Sequence, residues 1–232
     1  MDELEKFNRD KDMLRHRMDK YTRQAFSLLP AVDRPRILDI GCGAGVPTMT
    51  LAGLCNGTIT AIDTDQAELE RLINKISQAG LDDRITVINK SMLAMDFPDN
   101  SFDIIWAEGS IFAAGFEQGL RDWKRIVRPG GYLGIHDDRG NVSEKLDIIS
   151  AQGYLLVDYF ILDTGIWMDD YYDPLQELVR ETRNAGIHGD ALSSELSRQQ
   201  SEIDMVNRNP GQCTSVFFIL QRPDNQLSLI HI

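Results

Sequence analysis

The chain has 232 residues, 42% apolar and 26% charged, the proportions of an ordinary globular protein with room for one substantial α/β domain or a domain with a small cap. No apolar run approaches the ~18 residues that span a bilayer, and the opening stretch MDELEKFNRDKDMLRHR lacks the apolar centre of a secretory signal, so a cytoplasmic protein is expected. The formal net charge of −12 is uneven: residues 1–36 hold nine Lys/Arg and seven Asp/Glu, leaving 15 against 29 for the rest, a body that repels a phosphate backbone and makes nucleic acid a poor partner.

Hydrophobic spacing marks the elements in chain order. Leu14, Met18, Tyr21, Ala25 and Leu28 recur at alternating steps of four and three, the stripe of a helix, which Pro30 and Pro35 then end. Arg36 to Ile40 is a short apolar run that reads as a buried strand and stops at a glycine loop. Residues 45–55 read as a helix and 58–62 as a second strand. Residues 66–79 form an amphipathic helix through Leu69, Leu72, Ile73 and Ile76, with Gly80 at C′. Strands are expected at 85–88, 102–107 and 132–136, with a helix over 116–127. This βαβα alternation implies a parallel sheet with helices on both faces. In the last third, 155–162 and 215–220 are strand candidates; the polar, helical stretch 173–208 between them has the length of a cap or lid. The tail 223–232, ending in LSLIHI, receives no element. Cys42, Cys55 and Cys213 form neither a CxxC pair nor a zinc spacing, so reduced thiols and no bound metal are expected.

The chemistry concentrates in Ile37-Leu-Asp-Ile-Gly-Cys-Gly-Ala-Gly45. Gly41, Gly43 and Gly45 permit positive φ and let a ligand approach the backbone at a strand end, where open α/β sheets bind their ligands. A dinucleotide loop reads G-x-G-x-x-G and brings a pyrophosphate onto a helix N-terminus. Here the spacing is G-x-G-x-G, and Val46 stands where that pattern has its third glycine. Asp39, two residues ahead of the loop, disfavours a pyrophosphate and suits an ammonium group. Asp63, at the end of the second strand, can accept two hydrogen bonds from a ribose diol in either cofactor class. Asp65 and Thr64 read as helix caps.

Four segments together resemble the motif series of class I, S-adenosylmethionine-dependent methyltransferases: ILDIGCGAG, AIDTD, PDNSFDIIWAEG (98–109) and KRIVRPGGYLGI (124–135), in the usual order across residues 36–137. The Trp-Ala-Glu-Gly of 106–109, with Phe116 and the GLRDW of 119–123, is similar to a small prokaryotic subgroup mostly of unassigned substrate. The resemblance implies a doubly wound, mostly parallel sheet of seven strands with an antiparallel last strand. It implies one domain over 1–232, with the sheet core in 36–163 and 213–222 and cap elements in 1–35 and 164–212. It also implies S-adenosylmethionine as cofactor: Asp39, Gly41, Gly43 and Gly45 on its methionine part, Asp63 on the ribose, and Ser91, Met92 and Leu93 beside adenine. Many family members carry Asp in place of Ser91, so the adenine contact is a hydrogen bond without a charge here. Cys42, Thr64 and Glu108 complete the candidate donor set.

Methyl transfer from a sulfonium is one displacement with an activated leaving group, so alignment supplies most of the rate and a base is needed only where the acceptor sheds a proton. Glu108, after the fourth strand, is the first catalytic candidate, as acceptor ligand or base. Nucleic-acid amino-methylating enzymes carry [DNS]-P-P-[YF] here, which this chain lacks. His136, with Asp137 after the fifth strand, is the second candidate. Trp167, Tyr171 and Tyr172 are candidate walls of an acceptor pocket, or the cap's own packing. His188 reads as exposed loop. The expected activity is methylation of a small molecule. The alternatives are a nicotinamide-dinucleotide oxidoreductase and a non-catalytic donor-binding or interaction protein of this fold. The oligomeric state is open to a homo-oligomer.

Overall fold

A computed structural model describes residues 2–186 and 189–224. The loop expected around His188 and residues 225–232 of the tail lie outside the described residues. The chain divides into two compact units, Met1–Lys20 with Ile161–Ser215, and Tyr21–Phe160 with Val216–Ile232.

The larger unit is built on the sheet. The strands are β1 (Arg36–Ile40), β2 (Thr58–Asp63), β3 (Ile85–Asn89), β4 (Phe102–Glu108), β5 (Val127–Asp138), β6 (Leu155–Leu162) and β7 (Ser215–Gln221), with Ile161, Leu162 and Ser215 at the strand ends counted in the smaller unit. Among the described residues the strand order is β3-β2-β1-β4-β5-β7-β6. Parallel registers join β1 to both β2 and β4, β2 to β3, and β4 to β5. Strand β7 runs antiparallel to β5: Gly130 N–H donates to the Arg222 carbonyl and Arg222 N–H to that of Gly131, so the end of one strand meets the start of the other. The order reverses between β1 and β4, so a crevice opens at their carboxyl ends.

Alternation along the strands separates two faces. Leu38, Ile40, Ile105, Ala107, Leu133, Ile135, Val216, Phe218 and Leu220 belong to one apolar cluster, joined by Leu120 and Trp123. The intervening positions, among them Asp39, Trp106, Glu108, Gly134 and His136, point to the other face.

Helices fill the connections with the caps their residues favour. In α1 (Glu3–Arg15), Asp2 and Glu5 form a capping box. The expected first helix is interrupted: a 3₁₀ turn at His16–Met18 separates α1 from α2 (Asp19–Ser27), and of the proposed stripe Met18 and Ala25 are fully buried. Helix α3 (Val46–Leu54) starts on the glycine loop. In α4 (Gln66–Ala79), Asp65 caps the Ala67 and Glu68 N–H groups, and Gly80 ends the helix at φ 64°. Leu69, Leu72 and Ile76 are buried there, whereas Ile73 is exposed. Helix α5 is shorter than expected, Phe116–Trp123, because Val127 is taken up by β5 opposite Phe102. An unforeseen helix, α6 (Val142–Ala151), follows β5 with Asn141 as its cap.

The smaller unit is helical: α1, α7 (Thr164–Trp167), a π-turn over Met168–Tyr172, α8 (Asp173–Asn184) and α9 (Asp190–Arg208). Phe7, Leu175, Val179, Leu192, Leu196, Ile203 and Val206 form its core. Lys11 and Glu195 pair at 2.7 Å, both side chains 13% exposed.

Candidate functional site

The glycine loop is anchored before it reaches any ligand. Gly41 and Cys42 N–H donate to the Ile62 carbonyl at 2.8 and 3.0 Å, tying the end of β1 to β2. Gly41, Gly43 and Gly45 have φ of 72°, 50° and 77°, where a side chain is strained. A Cβ on Gly41 would overlap the Ser110 side chain and one on Gly45 the Leu72 methyl groups, whereas nothing lies within 4 Å of a Cβ on Gly43. The first and last glycines therefore serve packing, and the middle one leaves its side of the loop open.

Three carboxylates surround this loop. Asp63 Oδ2 accepts from Gly43 N–H at 2.8 Å, and its Oδ1 accepts from Thr64 and Asp65 N–H at 2.6 and 2.9 Å. Asp39 is buried, with Oδ2 accepting the Thr48 hydroxyl at 2.6 Å. Burial pushes the Asp39 carboxyl up to about 7; the Thr48 bond opposes this, and the charges of Glu108 and Asp63 add to it. Glu108 ends β4, where the register Asp39↔Trp106 carries it level with Gly41. Its Oε1 accepts from the Trp106 indole N–H at 2.7 Å. Burial, reinforced by Asp39 and Asp63, also raises the Cys42 thiol far above its ordinary range, so Cys42 stands in the loop as a neutral side chain. Among the described residues no group of three or more His, Cys, Asp or Glu could hold a metal ion, so the acidic residues here do not form a metal cluster.

Beside Asp63 lies a cleft of about 240 Å³ lined by Gly41, Ile62, Asp63, Ser91, Met92 and Leu93 among others. That volume lies below the ~300–1,000 Å³ of whole-ligand pockets, so it suits part of a ligand. Ser91 Oγ accepts from Leu93 N–H at 3.2 Å, which shapes the turn, and its own hydroxyl proton remains a donor. Larger grooves occur along Met92–Asp96 with Arg121–Arg125, and at the opposite end of the sheet by Phe26 and Cys55. Neither gathers the carboxylates of the switch point.

Strand β5 extends beyond its expected end at 136, so Asp137 is a strand residue as His136 is. His136 is buried, stacked on Phe217 at 4.4 Å between centroids, and opposite Glu108 in register. Asp137 pairs with Lys145 Nζ at 2.5 Å, the two side chains 4% and 12% exposed; burial raises its carboxyl against the pull of Lys145. In the helical unit, Trp167 and Tyr171 are buried under the Arg15 guanidinium, which lies 5.7 and 5.3 Å from their ring centroids. Trp167 Nε1 donates to Ser215 Oγ, and the Tyr172 hydroxyl to Glu202. Much of the surface of these aromatics is spent on that unit's own packing. Sequence reasoning missed Thr48, Trp106, Ser110 and Lys145. Only Trp106 carried a signal, as a large aromatic two positions before Glu108.

Residues 37–131 match the family model of the methyltransferase domain. Methyltransferase GfsG of Streptomyces halstedii is 32% identical over 127 residues, covering 54% of this chain and 46% of that protein. The 27-O-demethylrifamycin SV methyltransferase of Amycolatopsis mediterranei is 31% identical over 119 residues, covering 51% of this chain and 44% of that protein. The chain thus spans less than half the length of either relative. The crystal structure of the 4+2 cyclase SpnF superposes with a TM-score of 0.73 at 19% identity, over 89% of this chain and 82% of that one, a likeness of fold.

Proposed function

We propose that this chain, whose residues 37–131 match the methyltransferase-domain family model, is a class I methyltransferase that transfers a methyl group from S-adenosylmethionine to a small-molecule acceptor. One observation carries the reading: Asp39, Asp63 and Glu108 gather around a glycine loop whose middle residue is open, at the point where strand order reverses. That cradle suits a cationic ligand of modest size and repels a pyrophosphate. The bound cofactor supplies a methyl group activated on a sulfonium.

The chain's own residues do the rest. Asp39 and the loop around Gly41, Gly43 and Gly45, with Cys42, receive the methionine end. Asp63 and Thr64 receive the ribose. Ser91, Met92 and Leu93 flank adenine in the small cleft. Glu108 stands at the boundary between donor and acceptor, with His136 opposite it in register. Alignment there accounts for the rate, and either residue can take a proton from an acceptor that must lose one. A small acceptor is consistent with the net charge of −12 and with the rifamycin substrate that one relative's name states. None of the helices among the described residues is long and apolar enough to cross a membrane.

Titration calorimetry with S-adenosylmethionine, S-adenosylhomocysteine and NAD tests it. The first two bind and NAD does not. Binding of NAD without a response to the methyl donor overturns the reading. Methyl transfer to any acceptor separates an enzyme from a donor-binding protein of the same fold.

A further inference from the structure

We propose that Trp106 is a positioning residue: its indole N–H holds the Glu108 carboxylate beside the glycine loop, which sets the preference for the cationic donor over its neutral thioether product. This rests on the reading that S-adenosylmethionine occupies the cradle of Asp39, Asp63 and Glu108.

The geometry begins with the strand. Positions i and i+2 share a face, so Trp106 and Glu108 both lie on the face opposite the main apolar cluster. The Nε1–Oε1 distance is 2.7 Å, that of a charge-assisted bond. Trp106 is fully buried, and its ring is walled by Phe26 at 5.9 Å and Phe217 at 6.5 Å between centroids. Its register partner on β5 is Gly134, and a Cβ there would run into the Trp106 ring atoms Cζ3 and Cε3. The neighbouring strand thus forgoes a side chain where the indole lies. Burial alone does not demand this partner, because Trp123 is equally buried and its N–H finds no acceptor among the described residues.

The bond has a consequence for charge. Glu108 lies close enough to Asp39 to contribute to the rise of that carboxyl. Two such groups repel, so a glutamate without the indole contact would swing farther from Asp39. The indole opposes that swing and keeps negative charge concentrated at the loop before any donor arrives. The sulfonium brings a positive charge that the thioether lacks, so a carboxylate held at the loop favours S-adenosylmethionine beyond the ammonium that both ligands share. Trp106 therefore discriminates between S-adenosylmethionine and S-adenosylhomocysteine without touching either one.

The test replaces Trp106 by benzothienylalanine, which keeps the bicyclic shape and lacks the N–H, and compares it with Glu108→Gln. Affinities for S-adenosylmethionine and S-adenosylhomocysteine are measured by calorimetry across pH. The isostere should weaken S-adenosylmethionine about tenfold, leave S-adenosylhomocysteine nearly unchanged, and move the pH dependence of donor binding downward, because Glu108 then raises the Asp39 carboxyl less. Glu108→Gln should show the same selective loss, and combining the two changes should add little to it. If Glu108→Gln alters neither affinity, the reading of Glu108 at the donor fails. If Glu108→Gln acts and the isostere does not, or the isostere weakens both ligands equally, the role of Trp106 is overturned. Indole N–H resonances of the unmodified protein give a check that needs no change at Trp106. The Trp106 signal should shift in Glu108→Gln and respond to S-adenosylmethionine more than to S-adenosylhomocysteine; an unmoved signal also overturns the proposal.

Discussion

Asp39 turns the proposed donor site into a proton-linked one. The residue is 2% exposed, and burial is the first cause that lifts its carboxyl from 3.8 to about 7. At 1.36 kcal/mol per pH unit, the ionised form costs about 4 kcal/mol more in the fold than in the unfolded chain. Between those two values the folded chain keeps a proton that the unfolded chain has released. This group therefore makes the donor-free protein less stable as pH rises through that window, and its effect levels off above 7. A cation beside the carboxylate reverses the preference. Donor binding below neutrality should expel one proton, and affinity should rise about tenfold per pH unit up to about pH 7. Calorimetry with S-adenosylmethionine from about pH 5.5 to 7.5, in two buffers of different ionisation enthalpy, reads both effects; this range stays below the ~7.7–8.0 of an α-amino group. Asp39→Asn removes the titration: the slope should flatten, affinity at neutral pH should fall, and the donor-free variant should melt above the parent at pH near 8. A pH-independent affinity with no proton release, or an unchanged slope in Asp39→Asn, refutes the argument.

Other perturbations probe the same site. Asp63→Ala removes the acceptor for the Gly43, Thr64 and Asp65 N–H groups, so melting should show a loss of ~1–3 kcal/mol. Donor affinity should fall by a further ~2–4 kcal/mol, and unchanged affinity in the folded variant would place the nucleoside elsewhere. Gly45→Ala drives a Cβ into Leu72 and should lose ~2 kcal/mol or more in denaturant titrations, whereas Gly43→Ala meets only its unfavourable φ, about 1–2 kcal/mol, yet should abolish donor binding. Equal stability losses with intact binding in both would contradict the division of roles within the loop. Lys145→Met leaves the Asp137 carboxylate buried without its cation and should cost about 3 kcal/mol at neutral pH. Because burial already raises that carboxyl, protonation should relieve much of the loss towards pH 4, as melting curves across pH would show.

The residues that set local backbone were legible from the sequence. Three glycines at alternate positions need positive φ wherever the chain goes, and they have it. Asp65 and Gly80 bound α4 because a cap acts on N–H and C=O groups within one turn of itself. Strands β1, β2 and β4 likewise carried their own signal as short apolar runs ended by glycine or an acidic residue. Where the elements meet was not legible. Nothing in a local window says that β4 lies beside β1, and only that neighbour relation brings Glu108 level with Gly41. Helix α5 lost its last turn, and Ile73 was left in solvent, because the choice was made by pairing and packing partners far along the chain. Asp39 is legible as a loop carboxylate, but its titration near neutrality comes from burial and from Glu108 and Asp63, far along the chain. Trp-Ala-Glu-Gly reads as a string in either case. As a helix it would set Trp106 and Glu108 about 200° apart; as a strand it sets them on one face, and Gly134 on another strand leaves the room that lets the indole reach the carboxylate.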